Sequence, residues 1–424
     1  MSTKVATPTV EPTTSGVRLP VSWRDPVVTA ILAAVTVLLA FTAGGHSLIS
    51  FRKASPWLPD FSWNAPSTLT ISILAAVAIA GTIYTWILAL DRKKVPVWVV
   101  AIVGTAFVLG FLVWTVHGGK GTIPVVALLA GGLGFATPLV FGALAGVINE
   151  RAGVINIAIE GQLLFGAFAG AVTASIFGSS WLGLIGAPIA GMALGALLAL
   201  FTIKYRANHI VVGVVLNMLA LGVTSFLYST LLRDSPDLNK GLKLPEIGIP
   251  LLQDIPIIGP VLFKQSILVY MMYAAVIVLQ FALFSTRWGL RLRAVGEKPQ
   301  AADTVGIKVN SIRWQNVLLG GAVAGLGGAF FTIGQGLTFS KDIAAGNGFI
   351  ALAAMILGRW NPVGALLAAL LFGFSTSLGI IIQTTGGGIP AEYLLMIPYL
   401  VTIFAVAGFV GAVRPPAAEG QPYP

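Results

Sequence analysis

The chain has 424 residues, of which 56% are hydrophobic and only 9% are charged, and it contains no cysteine. This composition excludes a soluble globular domain, and the lack of cysteine excludes disulfides, thiolate metal sites and a lipid-modified cysteine. The formal net charge of +10 does not require a nucleic-acid partner, because membrane proteins gather Lys and Arg in the connections on their cytoplasmic side.

Residues 1–25 are rich in Thr, Pro and Ser and predict a disordered cytoplasmic tail. Apolar runs then recur along the chain without the two-residue alternation of a membrane β-barrel. Because hydrocarbon leaves no backbone group unpaired, the sequence predicts an all-α, polytopic transmembrane helical bundle of about 10–12 spans. The runs cover residues 26–43, 67–90, 95–116, 124–148, 153–177, 181–201, 210–232, 266–285, 316–336, 347–357, 362–383 and 392–413.

One of these runs, residues 347–357, is too short to cross a bilayer. A helix of this length extends only about 16 Å, roughly half the thickness of the hydrocarbon layer. We therefore expect at least one broken or half helix in the bundle.

Glu160 is the residue of the bundle that most needs an explanation. It lies within the apolar run 153–177, where an ionisable side chain costs about 2.5–3.5 kcal/mol unless it faces protein or water. On a continuous helix Asn156 shares its face and Gln162 points the opposite way, so the run predicts a polar stripe along a solute path. Two structural roles are the alternatives: Glu160 accepts hydrogen bonds from free backbone N–H groups at a helix break, or it pairs with Arg151.

A second set of polar residues recurs at helical spacing in the run 210–232. Its members are Asn217, Thr224, Ser225 and Tyr228. Asn217 is predicted to line the same path, and hydrogen bonding between helices is the alternative.

Several runs carry glycine at a spacing of four residues. Such pairs let two helix backbones approach closely, so they predict helix packing, with a moving interface as the alternative. The pairs are Gly142 and Gly146, Gly166 and Gly170, Gly191 and Gly195, and Gly321 and Gly325.

The longest predicted cytoplasmic connection, residues 286–314, is basic but not low in complexity. Pro299 stands at the start of a short helical segment within it, and Gly306 follows the end of that segment. A short surface helix held between two spans is interpreted as a docking element, and a solvated loop is the alternative.

Three separated segments carry a resemblance to one family, and they read GVINERAGVINIAIEGQLLFGAFA, GLRLRAVGEKPQAADTVGI and GFIALAAMILGRWNPVGALLAALLFG. The chain resembles the permease subunits of bacterial ATP-binding-cassette (ABC) importers for simple sugars, ribose and branched-chain amino acids. Within that family it is most similar to nucleoside-uptake permeases. The resemblance covers residues 121–413, so residues 26–120 are interpreted as additional N-terminal transmembrane helices and residues 414–424 as a cytoplasmic tail.

The resemblance implies a function and a set of partners. It implies import of nucleosides by alternating access across a bacterial plasma membrane, with ribose, other simple sugars or branched-chain amino acids as the alternative cargo. It also implies an ABC ATPase subunit, a second permease subunit that is a related but different chain, and an extracytoplasmic substrate-binding lipoprotein. Residues 289–307 then form the element that couples to the ATPase, and the residues assigned to it are Arg291, Arg293, Glu297, Pro299, Ala302 and Gly306.

The residues themselves agree with a transport subunit that is not an enzyme. The sequence has no G-x-x-x-x-G-K-[ST] motif, so ATP and Mg are assigned to the partner ATPase, with no cofactor and no metal in this chain. Asn156, Glu160 and Asn217 are the predicted substrate-pathway residues, because their side chains suit the hydroxyl groups of a nucleoside. The alternative from another class is a proton-coupled secondary transporter, in which Glu160 is the coupling carboxylate.

Overall fold

The structure is a computed structural model that describes residues 23–51, 61–119, 121–385, 393, 396 and 414–423. Among these residues ten helices are long and apolar enough to cross a membrane, which confirms the polytopic helical bundle. The predicted tail 1–25 and the last predicted run 392–413 lie outside the described residues, apart from 23–25, 393 and 396. The chain divides into two compact units, residues 1–46 with 66–118, and residues 47–65 with 119–424.

The described part of the first unit consists of three helices: α1 (Arg24–Thr42), α2 (Ser67–Leu90) and α3 (Val97–Thr115). Small buried side chains such as Ala33, Ala78 and Ala106 let these helices pack closely. The hydroxyl groups of Thr29 and Thr85 also bond to each other between α1 and α2, 2.9 Å apart. This unit therefore packs through small residues and hydroxyl groups, as expected of helices that have no hydrophobic driving force between them in lipid.

The described part of the second unit contains the remaining helices and short strands. The helices are α4 (Val125–Arg151), α5 (Ile159–Phe177), α6 (Ser180–Ala199), α7 (His209–Leu227), α8 (Ile267–Ser285), α9 (Arg287–Glu297), α10 (Pro299–Thr304), α11 (Val309–Ala329), α12 (Asn347–Leu357) and α13 (Pro362–Thr385). Helices α6, α7 and α11 each continue through one wider turn, at Leu200–Lys204, Tyr228–Leu232 and Phe330–Gly334. The core lies along α4, which is buried over most of its length against α11, α12 and α13.

Among the described residues, five short strands form two small sheets. They are β1 (His46–Ser50), β2 (Ser62–Pro66), β3 (Thr122–Pro124), β4 (Glu246–Gly248) and β5 (Lys264–Ser266). The first sheet has the order β2–β1–β3, with β1 parallel to β3 and Leu48 opposite Thr122. In the second, β4 pairs antiparallel with β5, with Glu246 opposite Ser266.

Glycine allows α5, α6 and α11 to touch along their backbones. A Cβ atom on Gly191 of α6 would collide with the carbonyl oxygen of Gly321 on α11, and a Cβ on Gly166 of α5 would collide with that of Gly325. Neither contact tolerates a larger residue without moving a helix. The predicted role of these glycines in helix packing is therefore confirmed.

The half helix has the predicted bounds, whereas the beginning of α5 does not. Helix α12 covers Asn347–Leu357, as the sequence indicates. Helix α5 begins at Ile159 rather than at residue 153, and residues 152–158 form a non-helical segment that turns at Gly153 with φ +89°. The prediction that Asn156 and Glu160 share one helical face is therefore wrong. Asn156 precedes the helix, and its Nδ2 donates to Oε1 of Gln162 at 3.0 Å.

Candidate functional site

Glu160 joins the beginnings of two helices inside the bundle. It is the second residue of α5, and its carboxylate accepts the backbone N–H of Gly346 at 2.8 Å and of Gly348 at 2.6 Å, in the first turn of α12. These N–H groups are among those that a helix cannot satisfy by itself, and they carry the positive end of its dipole. Glu160 thus has the helix-break role that the sequence left as an alternative.

Two glycines make this meeting of helix ends sterically feasible. Gly346 precedes α12 in the left-handed region with φ +82°, which a glycine adopts without strain. A Cβ on Gly348 would collide with the backbone nitrogen of Glu160. The two helix ends can therefore approach this closely only because residue 348 has no side chain.

Arg151, the other predicted partner of Glu160, lies elsewhere. Its Nε donates to the carbonyl oxygen of Trp360 at 3.0 Å, and its Nη2 donates to that of Arg359 at 3.4 Å. The expectation of a pair between Arg151 and Glu160 is therefore wrong. The guanidinium instead holds the loop that follows α12.

Asn217 bridges the break from α7. Its Oδ1 accepts the backbone N–H of Gly161 at 2.8 Å, and its Nδ2 donates to the carbonyl oxygen of Ile157 at 2.9 Å. One amide group thereby satisfies a free N–H of α5 and a carbonyl of the non-helical segment. Thr224, from the same predicted polar stripe, bonds instead to Ala220 of its own helix at 2.7 Å.

Glu150 forms a second junction that the sequence reasoning missed. It is only 3% exposed, and it accepts Nε1–H of Trp360 at 2.5 Å and a bond from the backbone N–H of Asn156. Helix α12 is consequently held at both ends, by Glu160 at its beginning and by Glu150 and Arg151 just after its end. In the sequence, this junction is indicated by Glu150 itself, a second carboxylate that closely follows the long apolar run 124–148.

An aromatic cluster surrounds Phe339, which lies in the chain shortly before α12. The ring of Phe339 is buried between Phe168, with centroids 5.2 Å apart, and Tyr228, with centroids 6.2 Å apart. Asn239 fixes this position, because its Oδ1 accepts the N–H of Phe339 at 2.7 Å and its Nδ2 donates to the carbonyl oxygen at 3.0 Å. Tyr228 is half-buried, so its ring is only partly covered by these neighbours.

The predicted coupling segment contains two helices rather than one. Helix α10 (Pro299–Thr304) has proline at its start, and Gly306 follows it with φ +83°, as predicted. Helix α9 (Arg287–Glu297) precedes it and was not predicted. The buried side chain of Ala302 packs with Val295 and Val309, which ties the two helices to the start of α11.

The predicted coupling residues divide into exposed and buried ones. Arg291 and Glu297 are exposed, and Arg293 is half-buried with its guanidinium 5.2 Å from the centre of the Phe284 ring. Pro299 is buried, like Ala302. The exposed residues lie on the surface of this chain, whereas the buried ones fix the shape of the pair of helices.

The described residues thus form a bundle of membrane-crossing helices in which the beginnings of α5 and α12 meet, with two short helices in the connection between α8 and α11. Residues 128–406 match the family described as branched-chain amino acid transport system / permease component, and the chain belongs to this family. It is thus the permease component of an ABC transporter and not itself an enzyme.

Several curated proteins are similar to this chain. The nucleoside ABC transporter permease NupC of Lactococcus lactis is 42% identical over 305 residues, which cover 70% of this chain and 96% of NupC. The guanosine ABC transporter permease NupQ of Bacillus subtilis is 41% identical over 302 residues, which cover 68% of this chain and 93% of NupQ. The guanosine ABC transporter permease NupP of Bacillus subtilis is 28% identical and covers 64% of this chain and 79% of NupP. No solved structure matches.

Proposed function

We propose that this chain is the permease subunit through which an ABC importer translocates nucleosides by alternating access. The observation that carries the proposal is the similarity to a permease named for nucleoside transport, at 42% identity over 96% of that protein's length. A similarity that extends over almost the whole relative includes the bundle as well as the segment between α8 and α11. It therefore supports the same cargo and not only the same architecture.

The geometry around Glu160 supports a neutral cargo. Half-helix N-termini often bind anionic groups of a substrate, because their N–H groups and dipoles favour negative charge. Here the carboxylate of Glu160 occupies the first turn of α12, and the amide of Asn217 occupies that of α5. A nucleoside is neutral and does not need a free helix N-terminus for its recognition, whereas an amino acid presents a carboxylate. Ribose is also neutral, so the transport experiment has to distinguish ribose from a nucleoside as the cargo.

We further propose that Asn156, Glu160 and Asn217 shape the path by fixing the break. The carboxylate of Glu160 and both polar atoms of the Asn217 amide already bond to the backbone, and Asn156 bonds to Gln162. The half-buried ring of Tyr228 is our candidate for stacking on a base, because aromatic rings stack on the face of any base.

The proposal assigns ATP and Mg to a separate ABC ATPase subunit. Helices α9 and α10 dock on it in this proposal, with Arg291 and Glu297 at the contact. A related second permease chain completes the pathway, and an extracytoplasmic lipoprotein delivers the cargo. The existence of NupP and NupQ, two different guanosine permeases of one organism, supports a heterodimer.

We also propose an orientation and a division of the chain. The N-terminus, the α9–α10 pair and residues 414–424 lie on the cytoplasmic side of a bacterial plasma membrane, as the distribution of Lys and Arg favours. Residues 26–120 are additional helices that lie before the family match, which begins at residue 128.

Transport by reconstituted complexes tests the proposal. Proteoliposomes that contain the permease pair, the ATPase and the binding protein are loaded with ATP, and uptake of labelled nucleoside is measured against excess unlabelled nucleoside, ribose, leucine or free base. We expect competition by nucleosides alone, and no uptake in vesicles without ATP. Competition by leucine or ribose but not by nucleosides would overturn the cargo. ATP-independent uptake that collapses with the proton gradient would favour a secondary transporter.

A further inference from the structure

The C-terminal segment, residues 414–423, is bound to three different parts of the second unit. The N–H of Ala418 donates to the carbonyl oxygen of Gly296, at the end of α9, at 2.9 Å. The N–H of Gly420 donates to that of Gly153, in the non-helical segment before α5, at 3.1 Å. The carbonyl oxygen of Gln421 accepts Nη1–H of Arg313 on α11 at 2.8 Å. The segment is thus an ordered strap and not a free tail.

Side chains reinforce these backbone bonds at both ends of the strap. The carboxyl group of Glu419 lies within hydrogen-bond reach of the carboxyl group of Glu150, which is only 3% exposed. The carboxylate of Glu297 accepts the N–H of Ala417 at 3.2 Å. The ring of Tyr423 packs on the buried cluster that joins α9, α10 and α11.

The strap connects the α9–α10 pair to the helix break. A Cβ on Gly420 would lie 2.8 Å from Cδ1 of Ile155, so the strap lies directly on the segment 152–158. That segment continues into α5, where Glu160 and Asn217 hold the ends of the interrupted helices. The same Glu150 that bonds to the strap also accepts the N–H of Asn156. Residues 417–420 therefore form a bonded path from α9 to the break.

We infer that residues 417–423 couple α9 and α10 to the break before α5, so that these parts move together, and that Glu419 is a positioning residue for this coupling. The inference rests on the proposed function of α9 and α10. It goes beyond the family match, which ends at residue 406. By this inference, the strap is one of the elements that transmit motion of the ATPase to the membrane helices.

A disulfide test examines the strap without any knowledge of the cargo. The chain contains no cysteine, so Glu297→Cys with Ala417→Cys introduces the only pair. Mild oxidation of the complex in native membranes is expected to join the two residues, detected by mass spectrometry. In the matched control, Arg291→Cys with Ala417→Cys, residue 291 lies about 9 Å from residue 297 along α9. This pair is expected to stay reduced. Absence of the 297–417 disulfide, or equal formation in the control, would overturn the inference.

A coupling test then separates transmission from a merely structural role. Ending the chain after Arg414 should lower the solute imported per ATP hydrolysed about threefold or more, with hydrolysis retained, because the ATPase then moves helices that are no longer tied to the break. Glu419→Ala should lower this ratio too, whereas Glu419→Gln keeps a hydrogen-bonding group and should restore it. Pro422→Ala, at an exposed position, is the control.

The two possible failures are distinguishable. If the variants only reduce the amount of assembled complex and leave the ratio of import to hydrolysis unchanged, the strap is structural and the inference is wrong. If the unmodified complex imports no nucleoside, the proposed cargo fails, and the disulfide test still decides whether the strap ties α9 to the rest of the chain.

Discussion

Replacing Glu160 by Leu should strongly destabilise the bundle. The variant leaves the N–H groups of Gly346 and Gly348 without the acceptor they have at 2.8 and 2.6 Å. Each hydrogen bond to a charged group contributes about 1.5–3 kcal/mol, so the loss of both costs about 3–6 kcal/mol. This is a large fraction of the roughly 5–15 kcal/mol that stabilises a typical folded protein.

The matched variant Glu160→Gln should cost about half as much. It keeps the shape and one acceptor oxygen, but it loses the negative charge and turns an NH₂ group toward a donor, so the expected cost is about 1.5–3 kcal/mol. The assay is thermal unfolding of the purified protein in lipid nanodiscs, together with its abundance in membranes. Asp237→Asn is the control, because that carboxylate is 91% exposed and makes a surface ion pair with Lys240, so the change in stability should be less than about 1 kcal/mol.

The stabilities of the two variants, compared with each other, test the role of Glu160 at the helix ends. If Glu160→Leu is as stable as the original protein and transports normally, the carboxylate is not needed at the helix ends. If Glu160→Gln keeps full stability but loses all uptake, Glu160 acts as a proton-coupling group instead.

Three further predictions follow from other parts of the second unit. Arg291→Glu reverses an exposed charge on α9 and should weaken association with the ATPase, measured by co-purification, without changing membrane insertion. Gly191→Ala should destabilise the bundle by about 1–3 kcal/mol or more in the same unfolding assay, because its Cβ would collide with α11; Gly222→Ala, where no atom lies within 4 Å, is the control and should be neutral. Burial raises the pKa of Glu419, although its bond to Glu150 acts in the opposite direction. Protonation therefore favours the docked strap, which should be fully docked at low pH and should loosen as the pH rises through this raised pKa. Dividing the rate of the disulfide test by the rate for the same cysteine pair in Glu419→Gln, at each pH between 5 and 9, measures this loosening, because ionisation of the thiols affects both rates alike.

The sequence located the helices well because their signals are local. The length of each apolar run predicts a membrane-crossing helix. Flanking glycine and proline residues predict the bounds of α12 and the start of α10. Helix α5 was assigned too early, since residues 153–158 are as apolar as the helix that follows. Hydropathy reports which residues avoid water, and it does not report where the backbone leaves the helical conformation.

The partners of the polar residues were beyond the reach of sequence reasoning. A carboxylate within an apolar run signals that Glu160 needs hydrogen bonds, but its donor Gly346 lies 186 positions away in the chain. The bonds that Asn217 accepts from Gly161 and Glu150 accepts from Trp360 also join residues that are far apart in the chain. Which residue requires a partner is a local property, whereas the identity of that partner depends on the packing of the whole unit.

The backbone contacts of α5, α6 and α11 have a mechanical consequence. Where glycine backbones touch, no side chain lies between the helices that could change rotamer and let them slide, so these three helices form one stiff plate. Helices α7 and α12 are joined to the beginning of α5 by polar bonds of Asn217 and Glu160. Gly348 also brings the backbone of α12 against that of Glu160. Any opening of this subunit is therefore expected to leave the shape of the α5–α6–α11 plate unchanged.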